Sequence, residues 1–273
     1  MTFHRFYGIL SPERRETKKI LCVGDVVAGV GCAHLRKVLP AGKRQYGVDV
    51  CVVNGENSAD GNGILPQSAE ALFAAGADVI TGGNHTFRRR EILDLLESEP
   101  MLLRPANYPA AVTGHGMCTV DLGRRQVTVI NLLGTAYMEP RDNPFDTLDR
   151  LLAEAGNPRF CVVDFHAEAT AEKKGLALWA DGRVSAVFGT HTHVQTADAQ
   201  VLPGGTGFIT DVGMTGPVNS ILGVEPSAPI TKMRLHVPTR FVAASGPCCM
   251  DAVLFTLDDA TGQCTAAERL QIR

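Results

Sequence analysis

Short apolar runs, each closed abruptly by glycine or a small polar residue, recur along this chain. Between them, apolar positions fall at helical spacing. The runs at 20–23, 48–53, 78–81, 160–164, 184–188 and 208–211 have the length and content of buried strands. Leu35, Val38 and Leu39 predict a crossover helix reaching Pro40, and Ala69, Leu72 and Phe73 a second over 67–75 that Gly76 stops. A charged third helix over 88–99 turns Ile92, Leu95 and Leu96 inward and ends at Pro100. Residues 102–107 read as a further short strand and turn, and 117–122 with 126–132 as a hairpin around Gly123-Arg124-Arg125. Asn143-Pro144 opens another helix with Phe145, Leu148 and Leu152 as its stripe. The stretches 240–244, 252–257 and 265–272 read as closing antiparallel strands, and the glycine-rich segment 58–63 as a mobile loop. Alternating strands and helices predict a sheet covered by helices in one α/β domain over 20–273, preceded by an exposed extension at 1–19.

Composition narrows the function classes. The chain has 273 residues, 45% hydrophobic, so one large core is within reach. A net charge of -3 without a long basic run argues against a strong grip on a nucleic-acid backbone. No stretch approaches the ~20 apolar residues of a membrane span. The first 19 residues hold His4, Arg5, Arg14 and Arg15 without an apolar segment, unlike a secretory signal. Of the eight cysteines, Cys22, Cys51 and Cys161 sit in strand-like runs, there is no Cys-x-x-Cys, and Cys248 adjoins Cys249. That pattern predicts reduced thiols and a cytoplasmic protein.

The candidate chemistry lies where the runs end. Five turns carry metal-type ligands: Gly24-Asp25, Gly55-Glu56-Asn57, Gly83-Asn84-His85, His166, and Gly189-Thr190-His191-Thr192-His193. On a strand, residues two apart share a side, so His191 and His193 are expected to point together, with Gly189 allowing a tight turn before them. Carboxylates, carboxamides and imidazoles at strand carboxyl ends suit iron, manganese or zinc better than calcium. Six or seven ligands exceed the needs of one ion, so two ions are expected, with Glu56 as the bridging carboxylate. Such a centre generates a hydroxide for in-line attack on phosphorus, and His85, pointing the other way from Asn84, is placed to protonate the leaving oxygen.

In this order, the five motifs resemble the calcineurin-like metallophosphoesterases. The wording Gly24-Asp25-Val26-Val27, Asn54-Gly55-Glu56-Asn57, Asp164-Phe165-His166-Ala167-Glu168 and 189–194 is similar to the YmdB-like branch, bacterial enzymes acting on 2′,3′-cyclic nucleotides. The resemblance implies a four-layer α/β/β/α sandwich and a 2′,3′-cyclic nucleotide phosphodiesterase holding two ions, iron or manganese before zinc. It assigns Asp25 and His193 to the first ion, Asn84, His166 and His191 to the second, Glu56 to the bridge and His85 to proton donation. The usual Asp-x-His is here Asp25-Val26-Val27, which removes an imidazole; Asn57 fills that vacancy or hydrogen-bonds the phosphate, and both roles stay open. Homo-oligomers occur in similar proteins.

Asp164 and Glu168 read as braces or surface groups, and Thr196 and Asp198 as supports of the ligand loop. Arg88, Arg89 and Arg90 either attract phosphate or form a solvated face, and Trp179 either stacks on a base or joins the core. His4, His34, His115 and His236 have no spacing that nominates them. The expected ligand is a small phosphoester, with RNA as a further ligand class. Two other readings keep the same centre: a phosphomonoesterase or 5′-nucleotidase, and a regulatory protein that binds nucleotide or RNA without turnover.

Overall fold

Strands this rich in valine and isoleucine must be covered on both faces, and two sheets stacked between helices achieve it. The computed structural model describes residues 17–273. The expected extension therefore lies outside the described residues except for 17–19, which belong to the first strand.

The first sheet contains β1 (Thr17–Val23), β2 (Asp25–Val26), β3 (Val50–Asn54) and β4 (Val79–Thr81), with β11 (Met214–Pro217), β12 (Cys248–Asp258) and β13 (Cys264–Ile272). Its pairing order is β2-β11-β12-β1-β3-β4, and β13 adds to β12. The second sheet holds β5 (Met117–Asp121), β6 (Gln126–Leu133), β7 (Phe160–His166), β8 (Ala186–Thr190), β9 (Gln200–Val201) and β10 (Gly207–Ile209), in the order β5-β6-β7-β8-β10-β9. β1, β3 and β4 run parallel, as do β6, β7, β8 and β10.

Side-chain alternation builds the layers. Ile20, Cys22, Val50 and Val52 meet Val127, Val129, Phe160 and Val162 between the sheets. Their neighbours Leu21, Val23, Cys51 and Val53 face outward onto Leu35, Leu39 and Leu72 of α1 (Ala28–Tyr46) and α2 (Pro66–Ala75). On the other side, Cys161, Val163 and Phe165 pack on Leu148, Leu152 and Leu176 of α4 (Pro144–Glu154) and α5 (Thr170–Trp179). The result is the expected α/β/β/α sandwich. Each fully buried large apolar side chain contributes about 1.5–3 kcal/mol. That core offsets the cost of burying the polar groups at the strand ends.

Several local expectations are corrected. α1 continues six residues beyond Pro40 to Tyr46, and the left-handed backbone of Gly47 (φ 65°) caps it. Packing of Leu35, Val38 and Leu39 outweighs the one hydrogen bond a proline forfeits. The helix expected over 88–99 is two 3₁₀ turns, Thr86–Arg88 and Arg90–Ile92, followed by α3 (Leu93–Ser98). Residues 102–107 contribute isolated bridges, Ile80 to Leu102 and Leu103 to His115, and 240–244 one bridge from Ala243 to Val224. Two helices were absent from the sequence reading, α5 and α6 (Ser227–Leu235). No helix among the described residues is long and apolar enough to cross a membrane.

Candidate metal centre

Parallel strands in both sheets end at one edge, and the polar turns that follow them meet there. Asp25 lies in β2, Glu56 and Asn57 follow β3, Asn84 and His85 follow β4, His166 closes β7, and His191 and His193 follow β8. Around His166 Nε2 stand Asn84 Oδ1 at 3.0 Å, His191 Nδ1 at 3.1 Å and Glu56 Oε1 at 3.4 Å. Next to this group, Asn57 Nδ2 lies 2.9 Å from Glu56 Oε1, 3.4 Å from Asp25 Oδ1 and 3.3 Å from His193 Nε2. His193 Nε2 is 3.5 Å from Asp25 Oδ1. All seven sequence-nominated ligands thus stand in one cluster, with Glu56 between its two halves.

The paired histidines converge for a different reason than strand alternation. β8 stops at Thr190, and His191 (φ 104°) and His193 (φ 63°) sit beyond it in left-handed backbone. Such conformations strain residues with a Cβ and persist where surrounding bonds hold them. Here the His191 N–H donates to Asp25 Oδ2 (3.1 Å) and the Thr192 N–H to Asp211 Oδ2 (3.0 Å). Asp211 is in turn paired with Lys173 Nζ at 2.7 Å, both side chains buried. Gly189 is not a turn residue but a close approach within β8, where a Cβ would overlap the Thr210 carbonyl. Gly83 serves the cluster similarly, because a Cβ there would overlap Glu56 and His166.

The outer partners fix which nitrogens face inward. Thr190 Oγ1 donates to Asp164 Oδ1 (2.7 Å), so at its 2.9 Å contact with His166 Nδ1 it accepts, and the lone pair of His166 is left on Nε2. Asp164 also accepts from Thr81 Oγ1 and Asn54 Nδ2. On the other ring, His191 Nε2 meets Glu168 Oε2 at 3.0 Å, which leaves Nδ1 facing His166. His193 Nδ1 donates to the Leu222 carbonyl (3.0 Å), turning Nε2 toward Asp25. Asp164 and Glu168 are therefore both braces of ligand residues. Asn54, Thr81, Thr190, Lys173 and Asp211 escaped the sequence reading as participants. Lys173 left one signal: it shares the buried face of α5 with Leu176 and Ala177.

Lone pairs on His166 Nε2, His191 Nδ1, Asn84 Oδ1 and Glu56 Oε1 point at one another, which is unfavourable unless a cation or a proton lies among them. A transition-metal ion fits this mixed nitrogen and oxygen set. Glu56, His166 and His191 alone place ligand atoms within 4.8 Å of one another. Burial pushes Glu56 upward, but the imidazoles of His166 and His85 outweigh it and hold the carboxyl well below its usual range. Asp25 follows the same pattern, with His193 and His166 offsetting burial. Burial depresses His166, yet Glu56, Asp25 and Asp164 raise it to about 9. The cluster is a negative pole seeking positive charge.

A cavity of about 650 Å³ opens over the cluster, lined on its floor by Glu56, Asn57, His85, His191 and His193. Asn84 reaches His166, whereas His85, expected to point the other way from Asn84, lies against Glu56. Its backbone N–H reaches Oε2 at 2.7 Å and its Nδ1 reaches Oε1 at 2.9 Å. Asn57 presents its amide nitrogen to both carboxylates, so metal ligation through Oδ1 requires an amide flip. Arg89 donates to the carbonyls of Asp60 (2.6 Å) and Asn62 (3.2 Å), tying down the 58–63 loop. Thr196 and Asp198 brace the chain after β10 through Thr210 and Asp211. Trp179 lies away from the cavity, against Phe145, Asp149 and Arg183.

Residues 21–270 match the model of the YmdB-like protein family. The chain belongs to the YmdB-like family. A relative from Bacillus subtilis (strain 168), named 2′,3′-cyclic-nucleotide 2′-phosphodiesterase, is 43% identical over 93% of this chain and 97% of its own length. Among solved structures, a hypothetical protein from Thermus thermophilus is 39% identical with a TM-score of 0.88, over 93% of this chain and 98% of that one. One titled a novel phosphatase, from Mycoplasma pneumoniae, is 32% identical with a TM-score of 0.89, over 94% of both chains. By this kinship the YmdB-like chain is an enzyme of the phosphoesterase class.

Proposed function

We propose that the protein is a metal-dependent phosphodiesterase that hydrolyses 2′,3′-cyclic nucleotides on a dinuclear centre. The observation that carries this reading is the meeting of Asp25, Glu56, Asn84, His166, His191 and His193 in one cluster, of which Glu56, His191 and His193 line the floor of the cavity. The name of the Bacillus subtilis relative supports the substrate class. Asp25 and His193 would hold one ion with Asn57 beside it, Asn84, His166 and His191 would hold the other, and the Glu56 carboxylate, placed between the two groups, would serve both. Iron or manganese suits these donors, and zinc fits them as well. When bound, the ions supply Lewis acidity that makes water nucleophilic near neutral pH and draws charge from the phosphoryl oxygens.

The chain's own residues position and protonate. Glu56 fixes the His85 ring by accepting from Nδ1 and from the backbone N–H, leaving Nε2 as the ring nitrogen for substrate. In its imidazolium form, with the Nδ1 proton held on Glu56, His85 gives its Nε2 proton to the ribose oxygen that departs from phosphorus. Water oxygen replaces that ribose oxygen, one P–O bond forms as the other breaks, and the product is a nucleoside monophosphate. Asn57 braces the two carboxylates through its amide nitrogen. Eight unpaired cysteines, seven of them buried, support a reducing, cytoplasmic setting.

The test is turnover of adenosine 2′,3′-cyclic phosphate by purified protein whose metal content has been measured. Hydrolysis that scales with bound metal is the expected result. Tight binding of the cyclic nucleotide without hydrolysis overturns the reading in favour of a regulatory binder. The description of the Mycoplasma pneumoniae protein as a novel phosphatase favours a phosphomonoesterase as the second reading. Faster release of phosphate from the monophosphate product than opening of the cyclic ester would select it.

A further inference from the structure

The side of the cavity facing the cluster is built differently from its floor. Leu222, Gly223 and Val224 return against Val242 and Ala243, joined by Glu225 N–H to the Val242 carbonyl (3.0 Å) and Ala244 N–H to the Gly223 carbonyl (2.9 Å). This folded segment carries apolar side chains that water still reaches: Leu222 is 47% exposed, Phe241 42% and Val242 50%. The Lys232 ammonium lies 5.2 Å from the centre of the Phe241 ring, and both residues line the cavity. The segment is seated against the centre. Gly223, at φ 91°, is packed so tightly on Val27 that a Cβ would reach 2.5 Å from Val27 Cγ1. The Leu222 carbonyl accepts a hydrogen bond from His193 Nδ1, so the wall also orients a ligand histidine.

We propose that this wall is the nucleobase subsite, with Phe241 as a specificity-determining residue and purines as the preferred base. The inference rests on the reading of the site as a nucleotide phosphodiesterase and adds what holds the other end of the substrate. With the phosphate held over the cluster beside His85, the base, on the far side of the ribose, meets Leu222, Phe241 and Val242. An aromatic ring beside aliphatic side chains offers stacking and apolar contact to any base, and a purine buries more surface than a pyrimidine. At about 650 Å³ the cavity imposes no size limit against the larger base. The Lys232 ammonium provides a donor to ring nitrogens and carbonyl oxygens of the base edge.

The wall is tested by comparing two cyclic esters with the same reacting ring: adenosine 2′,3′-cyclic phosphate and glycerol 1,2-cyclic phosphate, which has no base. Phe241→Ala should lower the ratio of kcat/KM for adenosine over glycerol ester about 10-fold, mostly through KM, as loss of one base stack predicts. Phe241→Trp should restore it, and the wild-type enzyme should prefer the adenosine ester to the cytidine ester. A ratio unchanged by Phe241→Ala overturns the proposal. So does a loss equal for both esters that accompanies dissociation of an oligomer in size-exclusion chromatography, which would make the face an interface between copies. Calorimetric binding of adenosine 3′-monophosphate against glycerol phosphate reads the wall without turnover. Base-dependent binding that Phe241→Ala abolishes, in an enzyme that opens neither cyclic ester, sustains the subsite while the reaction reading fails.

Discussion

The floor and the wall of the cavity illustrate two ways of placing a functional group. At and beneath the floor, Asp25, Glu56 and His166 are fully buried, and each is held by a partner from a different part of the chain. Shifting one costs several hydrogen bonds in a medium where unpaired polar atoms are expensive. The wall is held by a few backbone bonds and presents half-exposed apolar side chains. Its side chains can be exchanged without leaving a charge buried. The floor is therefore the part that changes least with the chemistry, and the wall the part that can be altered to choose a substrate.

The sharpest break in that contrast comes from Glu56→Gln. It keeps the shape of the side chain but removes the charge shared by both halves of the cluster and one of the two acceptor oxygens that orient His85. Turnover should fall by about 10³-fold, as when a charge-stabilising group is lost, with the far-ultraviolet circular dichroism unchanged. A variant retaining full activity would contradict the bridging role. Lys173→Met tests the floor from behind. Asp211 would stay buried while still accepting from Thr192 and Gly213, and breaking a buried pair costs about 3–5 kcal/mol. Urea unfolding should show that loss, with part of it recovered in Lys173→Met/Asp211→Asn. A cost below about 1 kcal/mol would mean that the ligand loop does not depend on the pair. His85→Ala should slow cyclic nucleotides about 10²-fold and activated aryl diesters much less, because only the former need a proton on the leaving oxygen. Equal losses on both would count against proton donation.

How far the sequence could be read follows the same division. Strands buried on both faces announced themselves as apolar runs, and the ligand turns stood out because polar residues closed those runs. The part played by Asn54 was hidden because it directly follows an apolar run and reads only as the start of the ligand turn, and Asp164, at the end of its run, could be read as a brace or a surface group but not assigned to His166 through Thr190. α5 was missed because Lys173, on its buried face, and Gly175 interrupt its stripe, and the reason for the lysine is Asp211, 38 residues away. The 102–107 and 240–244 stretches have the composition of strands, but their hydrogen bonds go to turns and single bridges. The geometry of His191 and His193 depends on backbone torsions that are set by Asp25 and Asp211, and no local pattern encodes them.

The smallest effect lies at the rim where floor meets solvent. Glu168 is half exposed, yet its carboxylate faces His191 Nε2 and so aims Nδ1 at the cluster. Glu168→Gln preserves the size of the side chain, but as a neutral amide it accepts that proton more weakly and makes the imidazole a poorer donor to metal. Changes of this kind cost about 10–100-fold in metal affinity, and the partial exposure of Glu168 places it at the low end, about 10-fold. Competition with a chelator should read a dissociation constant weakened by that factor. Turnover at saturating metal should stay near the wild-type level, because no floor residue has moved. A turnover loss that excess metal does not restore would place Glu168 with the groups that touch substrate, and the boundary between floor and rim would have to be redrawn around it.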